Sequence, residues 1–217
     1  MKTSRLFYRI FVVTAPALLS QALPAAASLS ASLPPDVAAF QIVEHGPHYR
    51  VWQSYTTNAG AARQLSITTN SYTELATGLY YQDRGEWLEA KELIEPSSDG
   101  AIARHGQHTA AFAYNLASAD AITLTTPDGK ELRSHIAGLG YHDAGGKTVL
   151  IAEVKDCAGK IVNGNQVLYA DAFTGFRADV RYTYTRAGLE QDIILREQPP
   201  QPETFGLDSK TTSLEAI

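Results

Sequence analysis

From residue 49 onward the chain repeats one theme: short apolar or β-branched runs separated by turn-forming residues. The runs fall at 49–55, 65–69, 73–81, 121–126, 148–155, 161–169, 176–185 and 189–196. Between them stand Asn58-Ala59-Gly60, Asp83-Arg84-Gly85, Asp99-Gly100, Pro127-Asp128-Gly129, Gly145-Gly146 and Ala187-Gly188. Gly, Asn and Asp tolerate the positive φ angles that tight hairpins demand. Many short strands at near-regular spacing, without long helical spacers, predict an all-β fold, an antiparallel β-sandwich.

Two hairpins stand out. Phe176, Ala178, Val180, Tyr182 and Tyr184 alternate with Arg177, Asp179, Arg181, Thr183 and Thr185, and after Gly188 an inward face continues through Leu189, Gln191, Ile193 and Leu195. The other hairpin is expected to run from 149–155, with Leu150, Ala152 and Val154 on one side, through a turn at 156–159 into 161–169. Residues 86–95 fit two patterns. Glutamates at 86, 89, 92 and 95 with Trp87, Leu88, Ala90, Leu93 and Ile94 suit a helical stripe, but the strand-like neighbours favour a strand, with one short helix as the alternative.

The first 27 residues read as an export signal. Lys2, Arg5 and Arg9 precede 14 apolar-rich residues (10–23), and Pro24 leads into Ala25-Ala26-Ala27, a small-residue cleavage site. A helix of that length spans about 21 Å, short of a hydrocarbon core of about 30 Å, so no membrane span is expected after cleavage. Removal of three basic residues takes the formal charge from −5 to −8, which opposes nucleic-acid binding. Residues 28–45 then form a flexible leader, 46–198 the β-sandwich domain, and 199–217, opening on Pro199-Pro200-Gln201-Pro202, a linker or the start of a following module. Cys157 is the single cysteine, so the core forms without an intramolecular disulfide, and the thiol is either free or paired between chains.

Candidate chemistry is thin. His45/His48 and His105/His108 have H-x-x-H spacing, but on a strand positions i and i+3 face opposite ways, and no metal is assigned. The acidic residues offer no distinguished pair for glycoside hydrolysis, and 86, 89, 92 and 95 read as a solvated edge. Asp143, Asp156, Asp171 and Asp179 lack a calcium-loop run, and Gly138-Leu139-Gly140 lacks the last glycine of a dinucleotide loop. No catalytic residue and no cofactor are assigned. Trp52 and Trp87 are the candidate ligand platform, since exposed rings stack on sugars; in a purely structural module both are core residues, and Trp87→Ala then costs about 3–5 kcal/mol.

One stretch is familiar. Tyr169-Ala170-Asp171-Ala172-Phe173-Thr174-Gly175, Ala178-Asp179-Val180-Arg181-Tyr182-Thr183-Tyr184 and Gly188-Leu189-Glu190-Gln191-Asp192-Ile193-Ile194-Leu195 together resemble a β-rich segment near the N-terminus of very large secreted bacterial surface proteins of the YD-repeat (Rhs) type. The resemblance implies a non-catalytic β-domain that precedes other modules and brings no active site with it. Asp179 and Arg181 are expected on one polar face, pairing across to Glu190 or Asp192. The sequence thus points to an exported, non-catalytic β-domain with a structural or interaction role at the cell envelope or surface, its partner a protein or polysaccharide. A carbohydrate-binding module is the alternative, and a secreted hydrolase the third reading.

Overall fold

A computed structural model describes residues 39–59 and 65–217. The export signal expected over 1–27 lies outside the described residues. The chain is all-β, with antiparallel pairing throughout its named sheets and, among the described residues, no α-helix. It divides into two compact units whose boundary falls between Tyr80 and Tyr81, where one domain was expected over 46–198.

The first unit is a meander of β1 (Gln41–Gly46), β2 (Tyr49–Ala59) and β3 (Leu65–Leu75), in that spatial order. Strand β1 therefore occupies part of the segment expected as a leader. Strands β2 and β3 pair without interruption over eleven positions, from Tyr49↔Leu75 to Ala59↔Leu65, whereas β1 is bulged between Ile42 and Glu44. His45 and His48 have separate partners. His45 stacks on Tyr80 at 4.3 Å between ring centroids, and His48 accepts the Gly78 N–H on Nδ1 at 3.1 Å.

The boundary falls after the first residue of β4 (Tyr80–Asp83), and the second unit opens on the rest of that strand and its hairpin partner β5 (Glu86–Glu89), the two joined by Arg84 and Gly85 at φ 51° and 88°. The remaining strands are β6 (Glu95–Ser97), β7 (Gly100–Ala103), β8 (Thr109–Ala113), β9 (Ile122–Thr125), β10 (Glu131–Ser134), β11 (Gly138–Asp143), β12 (Thr148–Glu153), β13 (Gly159–Val162), β14 (Gln166–Tyr169), β15 (Ala178–Thr185), β16 (Gly188–Leu195) and β17 (Thr212–Ala216). They form a five-stranded sheet β10-β9-β8-β7-β6, a four-stranded sheet β13-β14-β15-β16 and a three-stranded sheet β12-β11-β17. Inward side chains of all three sheets share one core, which makes this unit a sandwich. Phe112 of β8 packs on Tyr182 of β15, ring centroids 5.9 Å apart, and the Tyr169 hydroxyl crosses to donate to the Ala113 carbonyl at 2.5 Å.

The β15–β16 hairpin has the expected alternation. Phe176, Ala178, Val180, Tyr182 and Tyr184 are all buried, and Leu189, Ile193 and Leu195 pack against the same core. On the polar face Arg181 donates to its cross-strand partner Asp192 at 2.9 Å. Asp179 pairs elsewhere than expected: opposite Ile194, it is buried, accepts the Asp171 N–H at 2.9 Å and the Arg196 Nε at 2.8 Å. Asp171 itself sits at φ 51°, so the carboxylate pins a left-handed corner of the chain.

The other expected hairpin is wrong in its pairing. Residues 148–153 pair back onto β11 across the Gly145-Gly146 turn, and 159–162 pair with 166–169. Asn163 and Gly164, at φ 52° and 75°, supply the turn inside what the apolar pattern makes a single run. A register shift opposite Leu139/Gly140 also splits the Leu150, Ala152, Val154 face: Leu150 is exposed while Ile151 joins the core.

Residues 199–217 likewise differ from the linker expected there. The Tyr141 hydroxyl donates to the Pro200 carbonyl at 2.6 Å, Leu207 is buried, and β17 adds a strand to β11. Gly140 makes room for this: a Cβ on it would lie 2.3 Å from the Ile217 side chain.

Asp179 is the polar group on which the β14–β15 corner turns. Asp179→Ala is expected to lower stability by about 2–3 kcal/mol in denaturant titration, because it removes the acceptor of the Asp171 N–H and the buried partner of Arg196. Arg196→Ala, at a half-exposed side chain, should cost less than half of that.

Candidate functional site

Two places on the molecule collect side chains beyond what packing needs, one in each unit.

The first is a face of the meander. Direct cross-strand partners share a face, so the register Ile42↔Trp52↔Tyr72 sets these three side by side, with Arg50↔Glu74 next along the strands. Tyr72 is 50% exposed, and Phe40 and Ile42 are also exposed; Trp52 is half-buried. The Trp52 and Tyr72 rings lie within 18° of parallel, and Phe40 meets Tyr72 edge-on at 5.1 Å. One ion pair organises the row. Glu74 accepts from Arg50 Nε at 2.7 Å and Nη2 at 3.1 Å, and from the Trp52 indole N–H at 2.9 Å. The Arg50 guanidinium also lies 4.8 Å from the Trp52 ring centroid. The indole is thus held by its N–H to Glu74 and by the Arg50 guanidinium against its ring.

The second is a cleft of about 720 Å³ between the β4–β5 hairpin, the turn at 104–109 and the corner at 125–127. Tyr81, Leu88, Lys91, His105, Gln107 and Thr125 are among its walls. A hydrogen-bond chain enters it: His105 Nε2 lies 3.1 Å from Glu95 Oε2, and His105 Nδ1 lies 3.3 Å from the Tyr81 hydroxyl. Arg104 also binds Glu95, at 3.0 Å. The carboxylate can only accept, so a neutral His105 carries its proton on Nε2, and Nδ1 then accepts from the Tyr81 O–H. Burial, followed by the Asp83 charge, raises the Tyr81 pKa. The Tyr81 oxygen is left with lone pairs to offer, which suits a hydroxyl- or amide-bearing ligand. A narrower apolar recess of about 350 Å³, walled by Phe112, Ile161 and Val167 with Pro96 and Tyr114, lies between the five- and four-stranded sheets.

The residues singled out from sequence distribute as follows. Trp52 sits at the centre of the aromatic row. Trp87, on the other unit, is 40% exposed on β5, so it is not a core residue, and the large loss expected for its removal does not follow. The strand it occupies presents exposed residues throughout, because a two-stranded hairpin has no third strand to cover it. Of the second histidine pair, His105 joins the cleft, whereas His108 tilts on Tyr184 at 4.9 Å and burial pushes its pKa down. Among the described residues no three His, Cys, Asp or Glu side chains gather as a metal site requires. The Cys157 thiol donates to the Ala170 carbonyl at 2.9 Å, and burial raises its pKa, the opposite of an activated nucleophile. Glu92 and Glu95, read as solvated, are tied to Arg186 and to Arg104 and His105. Sequence reasoning missed Arg50 and Glu74; their signal was the mirrored Arg50-x-Trp52 and Tyr72-x-Glu74 on facing strands.

By fold the chain is thus an all-β protein that pairs a sandwich with a three-stranded meander, and no helix among the described residues is long and apolar enough to cross a membrane. Comparison with protein-family models, with curated proteins and with solved structures finds no match.

Two outcomes are expected. Trp87→Ala should lower stability by no more than about 1 kcal/mol in thermal or denaturant unfolding. Tyr184, whose hydroxyl donates to the His108 carbonyl at 2.8 Å, has its pKa raised to about 12, first by burial and then by Tyr81 and Glu92. The folded state keeps this proton above the ordinary value of 10, so its stabilising contribution is full below pH 10 and disappears as pH rises towards 12. Tyr184→Phe should cost about 1 kcal/mol at neutral pH and flatten the loss of stability over that alkaline window.

Proposed function

We propose that this chain is an exported, non-catalytic β-module with an interaction role at the cell envelope or surface. The observation that carries this reading is the aromatic row of the meander. Phe40, Ile42 and Tyr72 stay exposed around a Trp52 that the Arg50–Glu74 pair holds in place. Exposed aromatics rimmed by a fixed charge pair are the composition of a recognition surface. Export is supported by the Lys2, Arg5, Arg9 n-region, the apolar stretch over 10–23 and Ala25-Ala26-Ala27. The likeness of 169–195 to the leading domain of YD-repeat surface proteins supports a role beside other envelope or surface components.

A second reading, carbohydrate binding, is favoured by the near-parallel Trp52 and Tyr72 rings, which offer flat faces to the apolar side of a pyranose. The two readings separate in one titration. Binding to the immobilised chain is followed by surface plasmon resonance against isolated envelope polysaccharide and against envelope protein extract. The interaction reading expects a saturable change with the protein fraction, weakened at least tenfold in Tyr72→Ala and abolished in Trp52→Ala at unchanged thermal stability. A response to polysaccharide alone would replace it with carbohydrate binding. No response to either, with Trp52→Ala instead destabilising the fold, would remove both.

A further inference from the structure

Among the described residues every sheet ends in two strands with no further strand on their outer sides, and an unpaired strand edge is a template for another chain unless something blocks it. The described sheets block theirs in recognisable ways. Strand β1 carries a bulge, and β12 carries another. Strand β6 contains Pro96 in three residues, and β13 is four residues long. Strand β10 bears Glu131 and Arg133, β16 bears Glu190 and Asp192, and β17 has five residues including Glu215. The β4–β5 hairpin is four residues a side with Asp83, Glu86 and Glu89.

Strand β3 has none of these devices. It runs eleven residues, Leu65–Leu75, with no proline, lysine or arginine and a single charge, Glu74, near its end. Its register against β2 is unbroken, so the edge is straight and every second residue turns its N–H and C=O outward. Residues 67–73 are all exposed, Ile67 at 69%.

We propose that β3 pairs antiparallel with β3 of a second copy of this chain, joining the two meanders into one six-stranded sheet. The sequence of the strand fits this occupant. A two-fold axis through Asn70 uses all eleven residues and sets Thr69 opposite Ser71, Thr68 opposite Tyr72, Ile67 opposite Thr73 and Ser66 opposite Glu74. No like charges meet: the two Glu74 side chains stand at opposite ends, about 27 Å apart along the strands. Residues opposed in this register have the same parity, so Trp52 and Tyr72 of both copies come to one side, and the aromatic row doubles in length.

The inference rests on the reading of the meander as an interaction surface but is tested apart from it. Sedimentation velocity of the purified chain should show a concentration-dependent equilibrium between the monomer mass and twice that mass. Asn70 meets itself on the axis and is exposed, so Asn70→Lys and Asn70→Glu each place like charges face to face without touching the core. Each alone should weaken the dimer at least tenfold, and an equimolar mixture of the two should restore association to wild-type strength or better. A wild-type chain that stays monomeric up to about 0.5 mM, in the range of weak-dimer affinities, would overturn the proposal, as would variants that dimerise like wild type. If the chain is monomeric while Trp52→Ala still loses its envelope partner, the edge pairing fails and the interaction role stands; a dimer with no envelope partner gives the reverse.

Discussion

The sandwich depends on how it disposes of phenolic hydroxyls. With Cys157 as the only cysteine, no intramolecular disulfide aligns the layers, and the core is built around tyrosines whose oxygens cannot be left dry. Each of three finds a main-chain carbonyl at a distance in sequence: Tyr169 reaches Ala113, Tyr184 reaches His108, and Tyr141 reaches Pro200. The first two run from the four-stranded sheet into the segment 108–113, and so fix the offset between two layers that apolar contact alone would let slide. The third ties the Pro-rich stretch down over the sheet of β11. Gly106 belongs to the same arrangement, since a Cβ there would stand 2.2 Å from the Tyr184 oxygen. A ring, its hydroxyl and the space for both are thus specified together, which is how a few positions select one alignment among many apolar packings.

Much of this was legible in the amino-acid order. The β15–β16 hairpin could be read because period-two alternation along the strand admits one register, and a slip by one would bury Arg177, Arg181 and Thr183. The pairing of 148–169 could not be read from apolar runs, because Ile161-Val162 and Val167-Leu168 look continuous across the polar residues between them. The deciding signal was local and present: Asn163-Gly164 is a hairpin turn by its own chemistry, stronger than the run it interrupts. The face assigned to Leu150 failed for a different reason. A bulge is a property of two strands, and nothing in 148–153 alone announces the register shift that turns Ile151 inward.

The two tryptophans show the same limit for a site. Sequence identifies Trp as a side chain that is usually buried, but burial is conferred by neighbours. Trp87 falls in a hairpin with no third strand among the described residues, and Trp52 in a three-stranded sheet of a single layer. What makes Trp52 notable is the pair that holds it, and Arg50 and Glu74 are 24 residues apart, brought together only by the β2–β3 register.

The contrast between the units then has a physical content. In the sandwich, Asp179 is answered by Arg196 and a backbone N–H, and the hydroxyls of Tyr169 and Tyr184 by carbonyls. A three-stranded sheet cannot complete itself in this way. It has one layer, so apolar side chains on either face find cover only outside the sheet, and Ile67, Tyr72 and Leu75 remain exposed on β3 alone. Such a surface carries a standing cost in exposed apolar area and an aggregation hazard along its edge, and selection for solubility would favour a lysine or proline there. Leu65–Leu75 carries neither, whereas the other described edges are blunted with charge, proline, bulges or brevity, and this is the difference on which the proposed edge pairing rests.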